Sequence, residues 1–227
     1  MPVKIHQLLT LAYLLSQGAG STYFGITTAV LGGRMGISQQ AASQHLRELE
    51  DEGLITRNAE GKGISVMVTD KGRHELLRVY NILHDSLHSR PDHVEITGTL
   101  VSGMNEGAYY MSREGYTGQF QERLGYVPFP GTLNVDTDRK HGPEIARLDG
   151  MNGTIIDGFT DGKRSYGWVK CFAGTLNGTI PCHLIRLERT HHGSSTVELI
   201  SKLDIRKETG LDDGGKITIR IPLEQED

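Results

Sequence analysis

The chain has 227 residues, enough for two domains of ordinary size, with 37% hydrophobic residues, 23% charged residues and a formal net charge of −4. That composition describes a globular chain rather than a disordered one, and no stretch reaches the ~20 apolar residues of a membrane helix. Cys171 and Cys182 are too few for a disulfide scaffold and lack the paired spacing of a zinc site, so a reducing cytoplasm is expected. Residues 1–90 carry nine basic against eight acidic side chains, a near-neutral balance that neither demonstrates nor excludes a nucleic-acid partner.

The first ninety residues read mostly as helix. An apolar run from Leu8 to Leu15 lacks a basic flank and a cleavage site and is read as an ordinary helix. Ser38 is a good N-cap, and Ile37, Ala41, Ala42, Leu46 and Leu49 repeat with the spacing of an amphipathic helix that Gly53 closes. The opposite face holds Gln39, Gln40, Ser43, Gln44 and Arg47. Two short alternating runs, Leu54–Arg57 and Ile64–Val68, flank a tip at residues 60–63, and Thr69 caps a further helix reaching about Leu87. This order of helix, hairpin and helix resembles the winged helix-turn-helix domains of bacterial and archaeal regulators. The resemblance implies that the five polar residues face a DNA major groove and that Lys62 on the wing reaches a phosphate, and the near-neutral charge leads us to expect a dimer if DNA is bound.

Pro91 cannot continue a helix, which places a linker at Ser89-Arg90-Pro91-Asp92 and domain limits at 1–90 and 91–227. Beyond it the pattern changes to short alternating runs, many glycines and turn pairs such as Asn177-Gly178 and Asp213-Gly214. That predicts an all-β unit, closed or barrel-like, with one helix around Gly118 to Leu124. The fold class expected is therefore α+β and multidomain, a mostly helical first unit followed by a β-barrel.

Neither a Walker loop nor a protein-kinase catalytic set occurs. After the apolar run Ile96–Val101 comes Ser102-Gly103-Met104-Asn105-Glu106-Gly107-Ala108, whose glycines allow backbone N–H groups to approach phosphate oxygens. Further on, Pro128-Phe129-Pro130-Gly131-Thr132-Leu133-Asn134 places Thr132 and Asn134 two apart on an extended segment, where both project to one face. Their hard oxygens suit Mg²⁺, which takes few protein ligands. Gly-Thr-Leu-Asn recurs at Gly174 to Asn177, where the following Gly178 makes a hairpin turn the sufficient explanation.

Taken together, residues 94 to 223 resemble the archaeal CTP-dependent riboflavin kinases, which are six-stranded cradle-loop barrels. The resemblance implies Mg²⁺ on Thr132 and Asn134, and CTP on the loop Gly103, Met104, Asn105, Glu106, Gly107 and Ala108 together with Leu203, Asp204, Ile205 and Arg206. It implies riboflavin on Thr190 and Glu198, with Glu198 the candidate catalytic carboxylate, and FMN as product. Two loop positions depart from the family pattern, Asn105 for a glycine and Ala108 for an arginine, which removes one phosphate-directed charge. His191 and His192 on neighbouring positions point to opposite faces of a strand and are read as structural. Two readings stay open beside the enzyme: a transcription factor whose barrel only senses flavin or nucleotide, and a winged domain that serves as an interaction module without touching DNA.

Overall fold

The computed structural model describes residues 3–60, 63–88, 91–103, 106–188 and 195–223, which divide between two compact units, Met1–His88 and Ser89–Asp227. In the first unit, α1 (Ile5–Ser16), α2 (Thr28–Met35), α3 (Gln39–Asp51) and α4 (Asp70–Leu87) accompany a three-stranded sheet of β1 (Phe24–Ile26), β2 (Ile55–Glu60) and β3 (Gly63–Val68). The sheet order is β1-β3-β2, so the wing gains a short strand that sequence patterning does not reveal. Side-chain caps start three of the helices: Thr27 accepts from Val30 N, Ser38 from Ala41 N and Thr69 from Gly72 N. The apolar stripe of α3 buries Ala42, Leu46 and Leu49 against Leu11, Leu14, Leu31, Leu54 and Val66. This leaves the polar stripe at the surface.

The second unit contains β4 (His93–Val101), α5 (Glu106–Met111), α6 (Glu114–Leu124), β5 (Leu133–Thr137), α7 (Gly142–Asp149) and β6 (Thr154–Ile156). It continues with β7 (Phe159–Thr160), β8 (Ser165–Tyr166), β9 (Val169–Leu176), β10 (Ile180–Leu187), β11 (Thr196–Ile200), α8 (Ile205–Thr209) and β12 (Lys216–Pro222). The antiparallel order β4-β5-β11-β10-β9-β12 closes on itself, because β12 returns to β4, and β6 adds to β9. A closed six-stranded barrel results, as expected. The expectation of a single helix around Gly118 to Leu124 is corrected: α6 begins four residues earlier, at Glu114, and α5, α7 and α8 are also helical. At the β9–β10 turn Asn177 and Gly178 both take left-handed φ, 50° and 75°, the pairing a tight two-residue hairpin requires.

Alternation along the strands divides the apolar side chains between two cores. Ile96, Leu100, Leu133, Val135, Phe172, Leu184, Val197, Leu199, Ile217 and Ile219 fill the barrel. Tyr116, Phe120, Ile156, Tyr166, Val169, Cys171, Ile185 and Ile200 form a second cluster outside its wall, under α5 and α6. Burial pushes the thiols of Cys171 and Cys182 up to about 12, which leaves both protonated and unreactive at neutral pH.

Two charged side chains are held inside. Lys170 and Arg186 are cross-strand partners, 6% and 7% exposed. Arg186 pairs with both carboxylate oxygens of Asp149 at 2.7 and 3.2 Å, whereas Lys170 Nζ donates to the Asp149 carbonyl oxygen at 3.3 Å and lies 5.2 Å from the Phe172 ring centroid. Burial pulls Lys170 down to about 8, opposed by the Asp149 charge and reinforced by Arg186. Between that value and the ordinary 10.5 the unfolded chain holds more protons, so stability rises with pH across this window, and below it the cost of the buried charge is constant. Chemical denaturation at pH 7 and pH 10 is expected to show a Lys170 contribution of about 3 kcal/mol to that rise, which Lys170→Met removes.

Candidate functional site

Leu133, Val135, Val197 and Leu199 point into the barrel, so the residues between them, Asn134 and Glu198, point out of it. Asn134 lies directly across from Val101 on β4 and from Glu198 on β11. Glu198 lies directly across from Ile185 on β10. Thr132 precedes β5 by one residue and shares the outward face of Asn134.

Gly103 and Gly107 of the glycine segment lie against these residues. A Cβ added at Gly103 would collide with the Asn134 amide, and one at Gly107 would collide with the Thr132 hydroxyl and lie 2.8 Å from its backbone nitrogen. Gly107 meets the Thr132 backbone without room for a side chain, whereas a side chain at Gly103 would displace the Asn134 amide. No hydrogen bond among the described residues engages the Thr132 or Asn134 side chain. The segment is not a loop throughout: Glu106, Gly107 and Ala108 form the first turn of α5. Met104, Asn105 and Thr190 lie outside the described residues, as does Lys62 of the wing.

Two cavities open beside this contact. The larger, ~240 Å³, is walled by Tyr110, Tyr116, Tyr166 and Trp168 and reached by Gly107, Thr132, Arg164, Glu188 and Glu198. The smaller, ~90 Å³, is lined by Phe129, Thr132, Ser201 and the run from Leu203 to Arg206. Thr132 therefore stands on both walls, and Asn134 on neither. Phe129 and Leu203, at the rim of the smaller cavity, are 42% and 41% exposed. Asp204 caps α8 by accepting from Lys207 N at 3.3 Å, and Ile205 turns its side chain into the barrel core.

Arg206 is fixed by partners that sequence reading did not single out. Its guanidinium donates to the Val101 carbonyl at 3.2 Å and to Asp213 at 2.7 Å, and the Ser102 hydroxyl donates to the second Asp213 oxygen at 2.5 Å. The Ser102 hydroxyl and then the Arg206 charge hold the Asp213 carboxyl below its usual range. Asp213-Gly214 had the sequence features of a turn, and the turn is present, but its aspartate also ties the glycine segment to the Arg206 helix. In the larger cavity, Tyr166 shares a 3.1 Å hydrogen bond with Tyr109 and donates to Asp161. These hydrogen bonds and burial push its hydroxyl up to about 12, so it stays neutral.

The second Gly-Thr-Leu-Asn copy is structural: Thr175 and Leu176 belong to β9, and Asn177 makes the hairpin turn while its side-chain amide oxygen Oδ1 accepts from Thr218 N at 2.9 Å. Among the described residues, no group of three or more His, Cys, Asp or Glu side chains is placed to hold a metal ion. No helix among them is long and apolar enough to cross a membrane. In the first unit Gln39, Gln40, Gln44 and Arg47 are exposed along α3 and Ser43 is half-buried, with Arg47 donating to Gln44 at 3.0 Å and Gln44 to Glu48 at 3.1 Å.

Comparison with known proteins is consistent across both units. Residues 100–221 match the family model CTP-dep_RFKase, described as a domain of unknown function, DUF120, and residues 2–63 match the MarR family. The riboflavin kinase of Thermoplasma acidophilum is 38% identical over 196 residues, covering 86% of this chain and 88% of that protein. Its counterpart in Halobacterium salinarum is 36% identical over 223 residues, covering 96% and 95% respectively. That of Thermoplasma volcanium is 40% identical over 196 residues. With a family model spanning more than half of its length and relatives this similar from end to end, the chain belongs to the archaeal riboflavin kinase family, carrying a MarR-type winged helix ahead of its barrel.

Proposed function

We propose that the protein transfers the γ-phosphoryl group of CTP to the terminal ribityl hydroxyl of riboflavin, giving FMN and CDP. The observation that carries this reading is the position of Thr132 on the shared wall of two cavities of different character. The larger, with aromatic walls and the Glu198 carboxylate, suits a tricyclic flavin and its polyol. The smaller has exposed Phe129 and Leu203 at its rim and Arg206 within it, which suits a nucleotide whose base needs an apolar face and whose phosphates need a cation. The phosphates of a nucleotide bound there would meet the flavin side at Thr132.

In the reaction the ribityl oxygen bonds to the γ-phosphorus, the bond from that phosphorus to the β–γ bridging oxygen breaks, and CDP departs with the electron pair. Positioning and charge neutralisation supply most of the rate in such transfers, so a site without a protein nucleophile is adequate. Glu198 orients the ribityl hydroxyl and accepts its proton. Backbone N–H groups around Gly103 and Gly107 hold the phosphates, and Asp213 fixes Arg206 beside them.

The residues present fit a divalent cation: the Thr132 hydroxyl and the Asn134 amide carbonyl are hard donors on one face, free of other hydrogen bonds among the described residues, under a cradle that a Cβ would fill. Mg²⁺ bound there would neutralise phosphate charge while completing its shell with phosphate and water oxygens. Purified protein supplied with Mg²⁺ and riboflavin is expected to form FMN with CTP much faster than with ATP, GTP or UTP, as read by chromatography. Absence of product with every nucleotide would leave a flavin or nucleotide sensor in place of an enzyme. Thr132→Ala and Asn134→Ala are each expected to lower turnover by about tenfold or more and to raise the Mg²⁺ concentration for half-maximal rate, with Thr175→Ala as the unaffected control.

The exposed polar stripe of α3 supports a second role, DNA binding through the winged unit, with Gln39, Gln40, Ser43, Gln44 and Arg47 towards the major groove and Lys62 towards a phosphate. Because the unit is nearly neutral, non-specific attraction is weak and a dimer supplies the affinity. In selection from genomic fragments followed by binding assays, Arg47→Ala is expected to weaken the preferred site by about 1–3 kcal/mol, whereas Lys62→Ala weakens all DNA alike. Failure to enrich any sequence, together with no binding at low salt, would assign the unit to protein interaction.

A further inference from the structure

We propose that Arg164 is the anchor for the phosphate of the flavin product, and that it binds the phosphoryl group as it crosses from the nucleotide. The proposal rests on reading the larger cavity as the flavin site. Two carboxylates, Glu188 and Glu198, line that cavity, and Arg164 is the only cationic side chain among its described lining residues. Riboflavin enters uncharged, whereas its product carries a phosphate. Conversion thus adds negative charge to a cleft that already holds two carboxylates, and a cation is needed to offset the repulsion.

The setting of Arg164 suits this task. Its guanidinium donates to the Tyr110 hydroxyl at 2.6 Å and lies 5.4 and 5.9 Å from the centroids of the Tyr110 and Tyr166 rings. No carboxylate among the described residues lies within ion-pair distance of it. Neutral aromatic partners orient the group without cancelling its charge, and its remaining N–H donors are available in the planar arrangement that matches phosphate oxygens. Asp161 fixes the backbone beneath it by accepting from Lys163 N at 2.9 Å and Arg164 N at 2.8 Å. Tyr166, stacked on Phe159 with centroids 4.5 Å apart, donates to the same aspartate. Tyr110 lies one turn along α5 from Gly107, which abuts Thr132, so a short rigid path links Arg164 to the shared wall.

Such a cation distinguishes product and transition state from substrate. Flavin fluorescence titrations of the full chain without nucleotide test it, using riboflavin and FMN against wild type, Arg164→Ala and Arg164→Lys. Loss of the cation is expected to weaken FMN binding by about tenfold or more while riboflavin binding changes less than about threefold. Arg164→Lys is expected to fall between, and kcat should drop more than the riboflavin KM rises. Equal losses for both flavins would overturn the proposal in favour of a contact with the ring system, and unchanged affinities for both would remove Arg164 from the site. Wild-type protein that binds neither flavin would instead overturn the reading of the larger cavity, before any variant is compared.

Discussion

Side chains in a closed barrel have two directions open to them, and adjacent residues along a strand must take opposite ones. In this protein the inward set is almost wholly apolar, and Lys170 and Arg186, the buried charges among its members, are held at Asp149. Residues one position removed are thereby forced to the outside, and that is how Asn134 and Glu198 come to stand side by side on neighbouring strands. The interior packing and the site are two consequences of the same register. A one-residue slip of β5 would bury the Asn134 amide and expose Leu133 and Val135 at once, so the hydrophobic core enforces the site geometry.

Much of this was legible because it is local. Ser38 and Thr69 as caps, the α3 stripe and the Asn177-Gly178 turn all depend on residues within one turn or one hairpin, and each appears where its chemistry predicts. Thr132 and Asn134 were legible as a pair for the same reason. The helices missed in the second unit are those whose local preferences are weak. The first turn of α5 contains Gly107, and α5 and α7 are six and eight residues long, too short to show a clear helical period. Packing decides them: Met111 and Leu148 are buried, and Gly107 is needed for its closeness to Thr132, whatever its helix propensity.

The tie between Ser102, Asp213 and Arg206 was illegible for a different reason. It joins positions more than a hundred residues apart, and each residue has an adequate local explanation in a strand end, a turn or a short helix. Arg164 sits at the end of a hairpin that sequence patterning does not mark. Its place in the larger cavity comes from the folding of α5 and the β7–β8 hairpin over the same stretch of barrel wall. Chemistry assembled from several distant segments leaves little trace in any one of them.

Both cavities lie against the barrel rather than within it, and its interior is occupied by side chains. Stability and chemistry therefore reside in different layers of the same domain. Exchanges in the outer layer of short helices and hairpin can reshape the cavities without opening voids in the packed interior. The reverse also holds, since a repacked interior that preserves the alternation would leave the outward residues in register. Apart from β6, which adds to β9, the closed barrel offers no free edge for another strand to join. Substitutions in the outer layer thus carry a lower risk of aggregation than they would on an open sheet, and this layer is the natural place to look for divergence among relatives that share the barrel.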